Sequence, residues 1–181
     1  MMKPNLKKFK ITSKKPLAVD DFIEKILYKP KVGYYSSKDP FGKNGDFITS
    51  PTISNLFSEI IAIWLISAWE KMGKPKIFNF IELGPGDGSL TKVIINTVKK
   101  LPELNKAIKI HLYEKSIFLQ KLQKQNINNK YVKWIKNFNS IKKGPVIFFG
   151  NEFFDAIPIK QFSNINNELL EKCYTVKNKV N

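Results

Sequence analysis

Residues 77–100 read IFNFIELGPGDGSLTKVIINTVKK: a short apolar run, a glycine-rich turn and a segment with helical spacing. Residues 77–83 predict a buried strand, and residues 89–100 predict a helix. The three glycines between them permit positive φ angles and a close approach of a ligand to the backbone. A glycine-rich turn that follows a strand and opens a helix predicts an α/β fold with a ligand site at this turn.

The same alternation continues along the chain. Further strands are predicted at residues 108–113, 131–135 and 145–149, with a helix at residues 116–125 and a candidate last strand at residues 169–176. Strands that alternate with helices imply a Rossmann-like, mostly parallel sheet with helices on both faces. In such sheets ligands lie at the carboxyl ends of strands, which are here Gly84, Glu114, Asn137 and Asn151.

Two helices are predicted ahead of the first strand. Residues 18–28 have amphipathic spacing, and a second helix is predicted to begin at Ser50, a suitable N-cap, and to end near Gly73. The second helix is apolar on nearly every side, which predicts that it is well buried. On this pattern residues 1–75 form a helical and loop extension, and residues 76–181 form the domain that contains the sheet.

Composition disfavours a sequence-specific nucleic-acid site despite the charge. The chain has 181 residues and a formal net charge of +16, and lysine accounts for all 31 basic residues. Arginine, the side chain best shaped for bidentate contacts to guanine and phosphate, is absent. The lysines are scattered along the chain, so a solvated basic surface is expected, and a nucleic-acid site is the weaker alternative.

Cysteine, histidine and hydropathy exclude other classes of site. The only cysteine is Cys173 and the only histidine is His111, so neither an internal disulfide nor a zinc site is expected. No apolar run approaches the roughly 20 residues that span a bilayer. A protein without a transmembrane segment is expected, cytoplasmic in a bacterium.

The glycine-rich turn also distinguishes between cofactors. The dinucleotide fingerprint has its third glycine at the sixth position, where this chain has Ser89. The spacing of Glu82, Gly84, Gly86 and Gly88 resembles instead the first motif of class I methyltransferases, which bind S-adenosylmethionine. That ligand carries a sulfonium and an amino group, so a nearby carboxylate is electrostatically favourable. A nicotinamide or flavin site and a purely connecting turn are the alternatives.

Glu114 directly follows the second predicted strand. A carboxylate at this position can accept hydrogen bonds from two ribose hydroxyls, as in dinucleotide-binding folds. The alternative is that it stabilises the start of the next helix, where a negative charge is also favourable.

Residues 151–158, NEFFDAIP, follow the fourth predicted strand of the sheet. Asn151, Glu152 and Asp155, together with two phenylalanines, could hold a cationic substrate by charge-assisted hydrogen bonds and ring contacts. A guanidinium would suit them. The alternative is that both phenylalanines are core residues and Asp155 caps a turn.

Four segments together resemble the MidA family of S-adenosylmethionine-dependent protein arginine methyltransferases, whose mitochondrial members are complex I assembly factors. They are Gly33-Tyr34-Tyr35, residues 45–51 with Ile53-Ser54, residues 82–88, and residues 151–158 with Gln161-Phe162. The order and spacing of the four segments are more specific than any one of them. The resemblance runs from about residue 22 to residue 162.

The resemblance implies a class I methyltransferase fold that uses S-adenosylmethionine and releases S-adenosylhomocysteine. It implies that the segment with Asp46, Thr49 and Ser50 closes over the cofactor. Family members are roughly twice this length, so the resemblance covers their N-terminal portion, and the last strands of the sheet are expected to be missing.

The family also implies a partner: a protein substrate, with an arginine of a respiratory complex I subunit as methyl acceptor. In a eukaryote the location would then be mitochondrial. Glu152 and Asp155 would orient the guanidinium, and Asn151 would position its attacking nitrogen. The alternative function is a non-catalytic module that binds the cofactor or assists assembly.

Overall fold

The computed structural model describes residues 16–37 and 55–175, which group into two compact units. The first comprises residues 16–37 and 154–175, and the second comprises residues 55–153. The helix at residues 55–71 thus packs with the sheet rather than with the N-terminal residues. The predicted domain boundary at residue 75 stays a prediction.

The described helices and strands have the following bounds, in chain order. They are β1 (Leu17–Ala18), α1 (Val19–Tyr28), α2 (Tyr34–Ser37), α3 (Asn55–Lys71), β2 (Phe78–Leu83), α4 (Ser89–Val98), α5 (Pro102–Ala107), β3 (Ile108–Tyr113), α6 (Ile117–Ile127), β4 (Lys133–Ile135), β5 (Val146–Phe149), a 3₁₀ turn (Phe154–Ala156), β6 (Phe162–Ile165), β7 (Glu168–Glu171) and β8 (Cys173–Tyr174).

The larger unit contains a four-stranded sheet in the order β4-β3-β2-β5, and every pair in it is parallel. The predicted Rossmann-like α/β fold is confirmed. Because β2 is central and buried along its whole length, apolar residues occupy both of its faces. Phe78 and Phe80 pack in the cluster that includes α3 and α4, whereas Ile81 and Leu83 pack in a second cluster.

The prediction that α3 is buried on nearly every side is wrong. Its residues Ser58, Ala62, Leu65 and Trp69 are buried, but other large apolar side chains are more than half exposed. These are Leu56, Ile60, Ile63 and Trp64. Within residues 16–37 and 55–175, the helix buries one face, which packs on α4, and composition cannot indicate which face finds a partner. Among the described helices, none is long and apolar enough to cross a membrane.

The C-terminal end of α3 lies within the described residues, whereas its predicted start does not. The helix stops close to Gly73, as predicted: the Gly73 N–H donates to the Glu70 carbonyl at 2.9 Å, and the Lys74 N–H to the Trp69 carbonyl at 3.0 Å. This is the pattern of a glycine-terminated helix. The predicted start at Ser50 lies outside the described residues.

The smaller unit contains a hairpin. Its second strand overlaps residues 169–176, which were a candidate for the last strand of the main sheet. Strands β6 and β7 pair in antiparallel fashion, and β8 pairs with β1. Asn166 and Asn167 join β6 to β7 with φ angles of 53° and 66°. Two successive positive φ angles are typical of the tight turns that close hairpins. Residues 168–171 therefore pair with β6, and residues 173–174 pair with β1, rather than with the parallel sheet.

Candidate cofactor site

The carboxyl end of β2 lies beside the carboxyl ends of both neighbouring strands. The register pairs Leu83 with Tyr113 of β3, and Glu82 with Phe149 of β5. The Gly84 N–H then donates to the Tyr113 carbonyl at 3.0 Å. Gly84 and Glu114 are thus brought together at one edge of the sheet, as the sequence predicts.

The glycine loop, residues 84–88, is fixed by its own hydrogen bonds. Gly84, Gly86 and Gly88 have φ angles of 61°, 57° and 86°, a region that other residues adopt at a cost. The Asp87 carboxylate accepts hydrogen bonds from the Ser89 N–H at 2.9 Å and the Ser89 hydroxyl at 2.7 Å. The loop therefore leads into α4 with the Asp87 carboxylate bonded to the first residue of that helix.

Phe153 packs directly against this loop. A Cβ added at Gly84 would lie 2.6 Å from Cδ2 of the Phe153 ring, and the same ring makes an edge contact with Tyr113 at 6.5 Å between centroids. The alternative that both phenylalanines belong to the core is thus confirmed for Phe153 only, because Phe154 is 69% exposed.

Glu82 is a buried carboxyl group beneath the loop. Only 4% of its surface is exposed, and the Thr91 hydroxyl of α4 donates a hydrogen bond to Oε2. Burial raises the pKa of Glu82 from 4.5 to about 7; the Thr91 hydrogen bond opposes this shift and the charge of Asp87 adds to it. Near neutral pH the carboxyl group can therefore change its charge in response to a cation.

Glu114 is held by groups of α6. Its Oε1 accepts the Ser116 N–H at 2.7 Å, and its Oε2 accepts Nε2 of Gln123 at 3.3 Å. Burial raises the pKa of Glu114, and these hydrogen bonds oppose the shift. The N-cap of the helix is Ser116, whose hydroxyl accepts the Leu119 N–H at 3.2 Å. Glu114 supports that helix start, and a carboxylate can accept further hydrogen bonds from a ligand.

Sequence reasoning missed Gln123, which joins the loop to Glu114. This fully buried side chain donates from Nε2 to the Gly86 carbonyl at 2.8 Å, as well as to Glu114. Its Oε1 accepts the indole N–H of Trp134 at 2.9 Å. The available signal was its position four residues from both Leu119 and Ile127, which makes it a polar residue on an otherwise apolar stripe.

The three residues predicted to act on the substrate lie in different units. Asn151 and Glu152 directly follow β5 in the larger unit, and Asp155 lies in the 3₁₀ turn of the smaller one. Glu152 is exposed and has a φ angle of 49°. Strain of this kind in a residue other than glycine often occurs at functional sites. The roles of all three stay predictions.

The predicted covering segment cannot be placed in the same way. Asp46, Thr49 and Ser50 lie outside the described residues.

The sequence also matches a known protein family. A family model described as "Putative S-adenosyl-L-methionine-dependent methyltransferase" matches residues 60–181, which include β2, the glycine loop, Glu114 and Asn151. The chain belongs to this methyltransferase family. The resemblance predicted from the four sequence segments is confirmed at this level.

Two curated relatives of this methyltransferase family have similar sequences. The mitochondrial protein arginine methyltransferase NDUFAF7 homolog of Drosophila melanogaster is 32% identical, over 90% of this chain and 42% of the fly protein. The human mitochondrial protein arginine methyltransferase NDUFAF7 is 33% identical, over 85% of this chain and 40% of its own length. The chain therefore spans about two fifths of the curated relatives it matches.

A solved structure has the same fold. A Burkholderia thailandensis protein crystallised with S-adenosyl-homocysteine superposes with a TM-score of 0.71 and 23% sequence identity, over 90% of this chain and 43% of that one. A second Burkholderia thailandensis structure, solved in native form, gives a TM-score of 0.66. These likenesses show the fold of the methyltransferase family.

The residues at the sheet edge fit the cofactor of this methyltransferase family. The glycine loop opens a helix, and its residues Gly84, Gly86 and Gly88 carry no side chain of their own. Glu82 offers a carboxyl group whose charge responds to a cation, and Glu114 offers oxygens to hydroxyl donors. These two acidic side chains match a ligand with a cationic end and a ribose.

Proposed function

We propose that this chain binds S-adenosylmethionine at the carboxyl edge of β2 and β3 and serves in methyl transfer. The observation that carries the proposal is the juxtaposition of the glycine loop with Glu114, in a chain of a methyltransferase family. From the relatives' names we propose a protein arginine as methyl acceptor. The finer proposal, from the family resemblance, is an arginine of a respiratory complex I subunit.

Different residues contact the cofactor and the methyl acceptor. When bound, the cofactor supplies a methyl group on a positively charged sulfur. The loop backbone at Gly84 and Gly86 supports its amino acid end, Glu82 balances its positive charge, and Glu114 accepts the ribose hydroxyls. Glu152 orients the acceptor guanidinium, and Asn151 holds its nitrogen. Positioning of this kind is the main contribution a protein can make to a displacement reaction.

Calorimetric titration with S-adenosylhomocysteine tests the cofactor site. The wild-type chain should bind it saturably, and Gly86→Ala should lower the affinity roughly tenfold, because alanine in the left-handed region costs about 1–2 kcal/mol and shifts the loop. Gly73→Ala is the matched control: its φ angle is also positive, at 79°, and an added Cβ there meets nothing within 4 Å.

The affinity of Gly73→Ala should equal that of the wild type. Absence of binding by a folded wild-type chain would refute the proposed function. Equal affinity of Gly86→Ala and the wild type would show that the ligand binds elsewhere.

Glu152→Gln tests the acceptor side of the proposal. The change removes a charge while keeping shape, so methyl transfer should fall at least about tenfold, since hydrogen bonds to charged groups are the strong ones. Affinity for S-adenosylhomocysteine should not change. Transfer is measured with a radiolabelled methyl group, in this chain and at the matching Asn-Glu-Phe-Phe-Asp motif of a full-length relative. Undiminished transfer in both would remove Glu152 from the proposed mechanism.

A further inference from the structure

We propose that Gln123 is a positioning residue of the cofactor site, which sets Glu114 against the glycine loop so that both face one ligand. The inference rests on the proposed function. It concerns a residue of α6 that lies in none of the four family segments.

The hydrogen bonds of Gln123 fix the orientation of its amide. An indole N–H can only donate, so the amide atom that faces Trp134 at 2.9 Å must be the oxygen. The NH₂ group therefore faces the Gly86 carbonyl at 2.8 Å and the Glu114 carboxylate at 3.3 Å. An amide nitrogen carries two hydrogens, so both bonds can form together.

One buried nitrogen thus couples two parts of the site. The Gly86 carbonyl belongs to the loop after β2, and Glu114 belongs to the turn after β3. Without Gln123, the backbone N–H groups of Lys115 and Ser116 would still hold Glu114, but the side-chain contact of Gln123 to Oε2 would be lost. The carboxylate could then rotate, and its alignment with a ribose would no longer be enforced.

Asn126, three residues further along α6, provides an internal comparison. Its Nδ2 donates to the Asp87 carbonyl at 2.9 Å, so it also holds the glycine loop. The described hydrogen bonds of Gln123 include one to Glu114, whereas that of Asn126 reaches the loop alone. Replacing Asn126 therefore removes a hydrogen bond to the loop, whereas replacing Gln123 removes hydrogen bonds to both the loop and Glu114.

A double-mutant cycle on S-adenosylhomocysteine affinity tests the proposal. Gln123→Met keeps the length of the side chain, removes its hydrogen bonds, and should lower affinity roughly tenfold, as expected for loss of a bond to a charged group. In a Glu114→Gln background the same change should cost less than about threefold, since contacting residues are not additive. Asn126→Leu should cost the same factor in both backgrounds.

Equal losses from Gln123→Met in the two backgrounds would overturn the proposal, because a purely structural role gives additive effects. If Gln123→Met does not fold, Trp134→Phe replaces it: this change removes the donor that orients the amide, and its effect should again depend on Glu114. Additivity there would overturn the proposal equally. Failure of the wild-type chain to bind would refute the proposed function, whereas binding with an additive cycle would refute only the role of Gln123.

Discussion

The Glu82→Gln variant is expected to be more stable than the wild-type chain at pH 8, by about 3 kcal/mol. Burial raises the pKa of Glu82 from 4.5 to about 7, so the folded protein holds a carboxylate that would be better solvated in the unfolded chain. Glutamine has the shape of the protonated acid and can still accept the Thr91 hydrogen bond. It carries no charge to desolvate.

The pH window follows from the direction of this shift. Below pH 4.5 the group is protonated in both states, and its full contribution is present. As pH rises towards about 7, the unfolded chain loses the proton while the folded chain retains it, so stability falls by about 1.4 kcal/mol per pH unit. Above that range the penalty is constant. The difference between variant and wild type should therefore grow from near zero in acid to its full value at neutral pH.

Urea unfolding at several pH values measures this difference, because the other titrating groups contribute equally to both proteins. Glu103→Gln, at an exposed position in the first turn of α5, controls for the loss of one carboxylate. A stability difference that does not depend on pH would show that the Glu82 carboxyl is not the source. The same Glu82→Gln change should weaken S-adenosylhomocysteine binding at pH 8, since it removes the charge proposed to face the ligand's amino group.

The Gly144→Ala variant is expected to lose about 3 kcal/mol of stability or more, the sum of backbone strain and overpacking. Gly144 has a φ angle of 146°, and an added Cβ would lie 2.6 Å from the Ile77 carbonyl oxygen. A main-chain atom cannot swing away as a side chain can. The turn is also fixed by the buried Asn79 amide, which donates to the carbonyls of Lys142 at 3.0 Å and Pro145 at 3.3 Å.

Denaturant unfolding of Gly144→Ala beside Gly73→Ala isolates the clash, because an added Cβ at Gly73 meets nothing within 4 Å. The Gly73 variant should lose only the cost of its positive φ angle. Equal losses in the two variants would show that the turn before β5 relaxes easily. A much larger loss at Gly144 would show that β5 depends on close contact with the segment ahead of β2.

Much of the sheet could be predicted from the sequence because parallel strands are buried on both faces. Strand β3 has the predicted bounds, and β2 and β5 each begin one residue later than predicted. The short helix α5 was not predicted; Pro102 begins it at the first position, where a missing N–H costs nothing. The exposed side of α3 depends on tertiary partners, which local periodicity does not contain.

The site divides in the same way. Glu82, the glycines and Glu114 were identifiable because each stands at a fixed place relative to a strand end. Gln123 contacts Gly86 across 37 residues, and no local pattern encodes that distance in sequence. Only its polarity on an apolar stripe marked it. The edge of the sheet is therefore easier to predict from sequence than the side chains that hydrogen-bond across it.

The hydrogen bond between Trp134 and Gln123 also has an optical consequence. Indole emission depends on the polarity around the ring and on the bond made by its N–H. Here that N–H binds the same amide that holds the Gly86 carbonyl. Because this indole lies two hydrogen bonds from the loop, we expect a displacement of the loop to change the emission of Trp134.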